Sequence, residues 1–170
     1  MSQYTPTSGR VLEVQWQTTT PALAGCGITL TLQTFDQGIV RMNVDGSTYV
    51  LNHHPIKVGD PVTCFYSLFD PVPLIYPPLY RAAAVALTPA GTYAALDVFT
   101  NSTSSRQLTN SDDTLRLNIS SQTRQMLPNG QPFGGSLSGK LLLVIYGATT
   151  RSIPAQTTPE KIVVFCEGIK

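Results

Sequence analysis

Hydrophobic and polar residues alternate along most of this 170-residue chain, and β-branched residues are frequent at the apolar positions. In "GITLTLQTF", isoleucine and leucine alternate with threonine and glutamine, the pattern of a strand that buries one face. In "RVLEVQW" the same alternation places Leu12, Val14 and Trp16 on one face. Further strands are predicted in "GIVRMNV", "TYVLN", "PVTCFYSLF", "YRAAAVAL", "TYAALDVF", "DTLRLNIS", "TRQMLP", "KLLLVIYG" and "EKIVVFCE". No segment has a sustained 3.6-residue apolar period with helix caps, so we expect an all-β protein.

The chain also contains an internal repeat. The segment "IVRMNVDGSTYVLNHHP" aligns with "TLRLNISSQTRQMLPNGQP", which matches Arg41 and Asn43 to Arg116 and Asn118. The stretch that begins at Gly59 then aligns without gaps to the stretch that begins at Gly139. Matched blocks in the same order indicate a tandem duplication.

The repeat predicts the domain organisation. Each copy has about 80 residues and about five strands, which is typical of a small OB-like or SH3-like β-barrel. We therefore expect an N-terminal arm at 1–8, a first β unit at 9–88 and a second at 92–168. Because units of this size bury a limited core, we expect them to pack together.

The segment "FDPVPLIYPPLY" carries four prolines among large apolar residues. Proline fixes φ and lacks an N–H donor, so the segment is predicted to be an extended link outside the sheet ladder. Its counterpart in the alignment is "TTRSIPAQTTPEK". Leu74, Ile75 and Tyr76 are apolar enough that we expect them to be buried. The alternative is a semi-rigid aromatic face for a partner or a second copy, formed by Pro73, Tyr76, Pro77 and Tyr80.

These motifs resemble a group of small all-β proteins from spore-forming Gram-positive bacteria. The resemblance covers most of the chain and is most specific in "PVPLIYPPLYRA" and "TRSIPAQTTPEKIVV". It implies a bacterial source and a spore or envelope setting, and it implies no particular activity.

Charged residues are scarce. They make up 12% of the chain, about half the usual ~25%, and the net charge is +1. A surface built from Thr, Ser, Gln and Asn repels other copies weakly, which permits self-association. No basic patch is present, so we expect no nucleic-acid partner.

The N-terminal sequence "MSQYTPTSGR" lacks the basic and apolar regions of a signal peptide. The longest apolar runs fall far short of the ~20 residues that cross a bilayer as a helix. We therefore expect cytoplasmic synthesis without a membrane span, with a spore or cell-surface destination as a hypothesis.

Catalytic and metal-binding patterns are not evident. His53 and His54 are adjacent and would point to opposite faces of a strand. Asp112 and Asp113 form a typical turn composition. No cluster has metal-ligand spacing, and no nucleotide-binding motif is present, so we expect a non-enzymatic protein without a cofactor or a metal. Of the cysteines, we expect Cys64 and Cys166 to be buried and Cys26 to be accessible.

A polar strip is the remaining candidate site. Period 2 places Arg41 with Asn43, and Arg116 with Asn118, on faces opposite the apolar residues of each strand. This pattern is typical of a solvated strand face, and it also fits a recurring polar strip that binds a glycan or the sister unit.

Three functional hypotheses follow. The first is a structural, self-associating protein, in which the N-terminal arm pairs with an exposed edge of another copy. The second is a carbohydrate- or peptide-binding module that uses Trp16, Tyr76, Tyr80 and the polar strip. The third is an enzyme of unrecognised type, which requires a pocket where a histidine meets a carboxylate.

Overall fold

The computed structural model describes residues 2–101 and 106–169. The described chain is all-β, as predicted, and contains one short 3-10 helix at Leu51–His53. Its strands are β1 (Tyr4–Trp16), β2 (Gly27–Thr34), β3 (Ile39–Asp45), β4 (Tyr49–Val50), β5 (Pro61–Ser67), β6 (Leu79–Leu87), β7 (Tyr93–Asn101), β8 (Gln107–Asn110), β9 (Leu115–Asn118), β10 (Arg124–Met126), β11 (Lys140–Tyr146), β12 (Ala155–Thr157) and β13 (Lys161–Phe165). These strands form two compact units. The first unit is Tyr4–Pro89, and the second comprises Ser2–Gln3 and the residues from Ala90 onward.

The first unit has the strand order β3-β2-β1-β5-β6-β4. Strand β6 pairs antiparallel with β5 and parallel with β4, and its first residues also pair parallel with β3. Alternate residues of β2 and β3 are buried, as the sequence pattern predicts. Their apolar side chains form the core with those of β1, β5 and β6.

The second unit has the strand order β10-β13-β11-β7-β8-β9-β12. Strand β12 pairs parallel with β9, and β13 pairs parallel with β10 and antiparallel with β11. This order has the same sequence of neighbours as the first unit when β7 to β11 are matched to β1 to β5. Strands β12 and β13 then take the two places that the long strand β6 fills in the first unit.

The registers of the last strands refine the predicted alignment. Arg41 lies opposite Leu79, and Arg116 lies opposite Gln156. Because the two arginines correspond, Leu79 corresponds to Gln156, whereas the ungapped alignment matches Leu79 to Pro159. The difference lies in the preceding connection, which has eleven residues in the first unit (68–78) and eight in the second (147–154).

A threonine makes the same contact in both units. Thr48 Oγ1 donates to Ala82 O at 2.8 Å, and Thr123 Oγ1 donates to Pro159 O at 2.7 Å. The sequence alignment matches the two threonines, and the strand registers match Ala82 to Pro159. Each hydroxyl therefore joins the turn after β3 or β9 to the last segment of its unit.

Strand β1 differs from its prediction at both ends. It begins at Tyr4, and its residues up to Arg10 pair antiparallel with β5 of the same chain, so most of the predicted arm lies within the first sheet. A bulge between Val11 and Glu13 interrupts the alternation. Val11 and Val14 both pack in the first core although they are three residues apart, because the extra residue, Leu12, moves the following side chains to the other face.

The three cysteines are free thiols. Cys64 is fully buried, as expected, and burial raises the pKa of its thiol to about 12. Cys26 is exposed, as expected. The predicted burial of Cys166 is wrong, because β13 ends at Phe165 and Cys166 lies in the exposed turn that follows.

Within the described ranges, no helix has the length and apolar character needed to cross a bilayer.

Candidate functional surfaces

The connection from β5 to β6, residues 68–78, is here called the proline loop. It contains no strand, as its prolines predict. The expected burial of its apolar residues is wrong, since Leu74 is fully exposed and Tyr76 is 82% exposed. Phe69 is 79% exposed, and Ile75 is half exposed. An eleven-residue segment thus presents several large apolar side chains to solvent, which is uncommon unless they bind something.

Hydrogen bonds hold both ends of the proline loop. At its start, the Phe69 N–H donates to Ser67 Oγ at 3.1 Å. At its end, the Arg41 N–H donates to Pro78 O at 2.8 Å and Arg41 Nη2 donates to Pro77 O at 3.2 Å. With fixed ends and proline-restricted φ angles, the apolar tip loses less conformational entropy on binding than a free loop would.

The predicted aromatic residues lie in different environments. Tyr80 lies in β6, stacks on Tyr66 with ring centroids 4.0 Å apart, and packs against the first core. Pro73 and Tyr76 belong to the exposed part of the loop, whereas Pro77 is half-buried beside Arg41. Trp16 is the last residue of β1 and is 70% exposed. The exposed apolar side chains of this region therefore belong to the proline loop, and Tyr80 is not one of them.

The polar strip of the first unit is bonded within the protein except at Arg41 Nε, which is buried without a partner. Asn43 Oδ1 accepts a hydrogen bond from Thr29 Oγ1 at 2.7 Å. Asp45 forms an ion pair with Arg81 at 3.3 Å and accepts hydrogen bonds from the Ser47 N–H and hydroxyl. Burial raises the pKa of Asp45, but the Ser47 hydrogen bonds and the Arg81 charge outweigh it, and the pKa is lower than usual.

The polar strip of the second unit contains unsatisfied groups. Arg116 forms no side-chain hydrogen bond or ion pair within the described residues, and its Nε is buried without a partner. Thr109, directly opposite on β8, is only 8% exposed, and its Oγ1 also lacks a partner. By the strand registers, Pro154 corresponds to Pro77, but the Pro154 carbonyl accepts from Ser152 Oγ at 2.8 Å. Arg116 therefore lacks the carbonyl contact that Arg41 makes in the first unit.

An open cleft of about 600 Å³ lies in the second unit. Arg116 does not line it, although Gln156, which does, lies opposite Arg116 on β12. Asn118 and Gln156 line it, and the Asn118 amide donates to Gln156 Oε1 at 3.2 Å. The rest of its lining consists of Gly147, Ala148, Thr149, Thr150, Thr157 and Thr158. These described lining residues contribute hydroxyls, amides and backbone, and none of them carries a carboxylate or an aromatic ring. We call this region the threonine cleft.

His54 does meet a carboxylate, as the enzyme hypothesis required. Its Nε2 lies 2.8 Å from Asp60 Oδ2, and the Lys57 N–H donates to the same oxygen at 2.8 Å. Burial raises the pKa of Asp60, but these hydrogen bonds and the nearby charges outweigh it, and the pKa is lower than usual. All three groups belong to one turn before β5, and neither residue of the pair lines the threonine cleft. The pair therefore closes a turn.

No group of three or more His, Cys, Asp or Glu side chains in the described ranges is arranged to hold a metal ion. Comparison with protein-family models, with curated proteins and with solved structures gave no match. The proline loop and the polar strips are therefore the features of the molecule that point to a function.

Residues that sequence reasoning missed lie mainly in the second unit. Thr109 and Gln156 flank Arg116 on β8 and β12, two strands that the alternation does not predict. Both segments are short and polar, so no local signal marks them. The alignment of Arg116 with Arg41 is the feature of the sequence that draws attention to this strand.

Proposed function

We propose that this protein is a non-enzymatic structural component that self-associates through the proline loop of its first unit. The observation that carries the proposal is the exposure of Phe69, Leu74 and Tyr76 on a loop whose two ends are hydrogen-bonded. Aromatic and large aliphatic side chains presented on a restrained segment are typical of the central anchors of protein interfaces.

The proposed occupant of this surface is a second copy of the chain. The loop itself carries one charge, Asp70, and the whole chain has a net charge of +1. Two copies therefore repel each other weakly at close approach. In a two-fold contact the same apolar residues face each other, so one patch supplies both halves of the interface.

The architecture in this proposal is a tandem pair of small barrels. The shared order of strand pairing, the two equivalent threonine contacts and the consistent strand registers support a duplication. The pairing of β6 with both β3 and β5 supports closure of an OB-like barrel in the first unit. The resemblance in sequence supports a place in a spore or cell-surface assembly.

The N-terminal strand is not the contact in this proposal. Residues 4–10 pair with β5 of their own chain, so they belong to their own sheet and are not a detached arm. Association through the proline loop leaves this pairing intact.

Sedimentation velocity of the full chain from about 1 μM to about 1 mM, the range of weak to moderate affinities, tests the proposal. The wild type should associate with increasing concentration. The Leu74→Ser, Tyr76→Ser double variant should dissociate at least about tenfold more readily, since losing two buried anchors costs more than about 1.4 kcal/mol.

Ile153 provides the matched control. It is 93% exposed in the connection of the second unit that corresponds to the proline loop. Ile153→Ser should associate like the wild type. A wild type that stays monomeric throughout, or an equal loss of association in all variants, would refute the proposed interface.

A further inference from the structure

We infer that the open edge of β1 at residues 12–16 is a second association surface, on which two copies of the chain pair as antiparallel strands. We call this segment the β1 edge. It is a different surface from the proline loop, and the inference does not depend on the association proposed for that loop.

The backbone of residues 12–16 has a partner strand on one side only. Strand β2 pairs along this segment, whereas the pairing of β5 with β1 ends at Arg10. Val11 is still covered, because its N–H donates to Asp60 O at 2.9 Å and its carbonyl accepts from the Gly59 N–H at 2.8 Å. Beyond Val11, the described residues form no backbone hydrogen bond on this side. An edge of this kind is a template for another strand.

Val14 and Trp16 direct their backbone groups toward the open side. The Gln17 N–H donates to Gly27 O at 2.9 Å, on the β2 side. Because alternate residues of an antiparallel strand bond to the same neighbour, Gln15 also faces β2, and Val14 and Trp16 face away from it. Each of these two residues thus offers one donor and one acceptor to a second strand.

The side chains of the β1 edge supply an apolar contact. Trp16 is 70% exposed, and it shares a strand face with Val14, which packs against the first core. Large aromatic residues are typical anchors of protein interfaces. A strand that continues this sheet would extend the apolar face beyond Val14 and cover the Trp16 ring.

The β1 edge is complementary to itself, which favours a second copy as its partner. In antiparallel pairing about a two-fold axis at Gln15, Val14 of each copy lies opposite Trp16 of the other, and the outward backbone groups of both residues are bonded. An aromatic ring opposite a β-branched side chain is a favourable cross-strand pair. Glu13, the one charged residue of the segment, lies opposite Gln17, so no like charges meet.

The fluorescence of Trp16 tests this inference, because Trp16 is the only tryptophan of the chain. The Leu74→Ser, Tyr76→Ser variant serves as the parent chain, so that the result is independent of the proline loop. Two short strand segments bury little surface, so the contact is weak. We expect the Trp16 emission to move to shorter wavelength as the concentration of the parent chain approaches about 1 mM.

Charges at position 15 test the register of the pairing. Gln15→Lys places two cations opposite each other at the two-fold axis and should abolish the shift, and Gln15→Glu should do the same with two anions. An equimolar mixture of the two variants pairs opposite charges, and it should show the shift at a several-fold lower concentration than the parent chain. Rescue in the mixture also shows that both variants are folded.

Gln37→Lys is the matched control, since it adds the same charge at an exposed position of the turn between β2 and β3. Its emission should shift as in the parent chain. No shift in the parent chain, an equal shift in Gln15→Lys, or a mixture without rescue would overturn the inference. A shift caused by added cellohexaose and not by protein concentration would assign Trp16 to a carbohydrate and would also overturn it.

Discussion

Arg41 and Arg116 occupy corresponding positions in the two units but have different neighbours. Beside Arg41 the chain supplies its own acceptor, the Pro77 carbonyl, and the loop that carries it presents apolar side chains to solvent. In the second unit the corresponding connection is three residues shorter, and its Pro154 carbonyl accepts a hydrogen bond from Ser152 Oγ. The threonine cleft is open in this unit. One change of loop length and composition thus separates an exposed apolar loop from an open polar cleft on units with the same order of strand pairing.

Among variants that compare the two units, those that remove the threonine contacts should change the free energy of unfolding most. Thr123→Val should lower the free energy of unfolding by about 1–3 kcal/mol, because it leaves the Pro159 carbonyl buried without a donor. Thr48→Val should cost about 0.5–1.5 kcal/mol, because its hydrogen bond to Ala82 O is less buried. Unfolding in guanidinium chloride measures the change in the free energy of unfolding for both variants.

Thr19 is the control for these variants, since it is exposed and forms no side-chain hydrogen bond within the described residues. Thr19→Val should change stability by less than about 0.5 kcal/mol. If Thr48→Val and Thr123→Val changed the free energy of unfolding as little as the control, the claim that these two hydrogen bonds stabilise their units would be contradicted.

Lowering the pH should have a smaller effect on the stability of the two units. Asp45 and Asp60 of the first unit have pKa values lower than usual, and the aligned residues of the second unit are Ser120 and Lys140. A carboxylate with a lowered folded pKa adds stability above its unfolded pKa of about 3.9, and that stability is lost as the pH falls through the folded pKa.

We therefore expect the first unit to lose stability below about pH 4 before the second does. Buried Cys64 reports the opening of the first unit through its labelling rate, and amide exchange of β11 reports on the second. Asp60→Asn should flatten the pH dependence at Cys64 only. An equal acid response of the two units, or no effect of Asp60→Asn, would contradict the assignment.

Most of the long strands could be predicted from the sequence. Each buries one face, so apolar and polar residues alternate along it. The bulge at Leu12 could not be predicted, since it reverses the faces without altering the local composition. Strands β8 and β12 are short and polar, and they exist because β7 and β9 offer them hydrogen-bonding partners.

The candidate sites were harder to predict than the fold. The sequence pairs Arg41 with Arg116, but only the structure shows that Arg41 Nη2 bonds to the Pro77 carbonyl whereas Arg116 makes no side-chain hydrogen bond within the described residues. The register shift between the last strands was hidden because "RAAAVAL" and "KIVVFCE" are apolar throughout and align in several registers. The hydrophobicity of Leu74 predicts burial, but it gives no information about whether the loop that carries this residue lies against its own core.

The most direct test of the account is an exchange of connections between the two units. Residues 68–77 of the first unit, "LFDPVPLIYP", are replaced by "ATTRSIP", the sequence of residues 148–154, which the strand registers match to them. Sedimentation velocity should find a folded chain that stays monomeric at concentrations where the wild type associates. A folded chimera that associates as strongly as the wild type would contradict the central claim that the proline loop makes the contact.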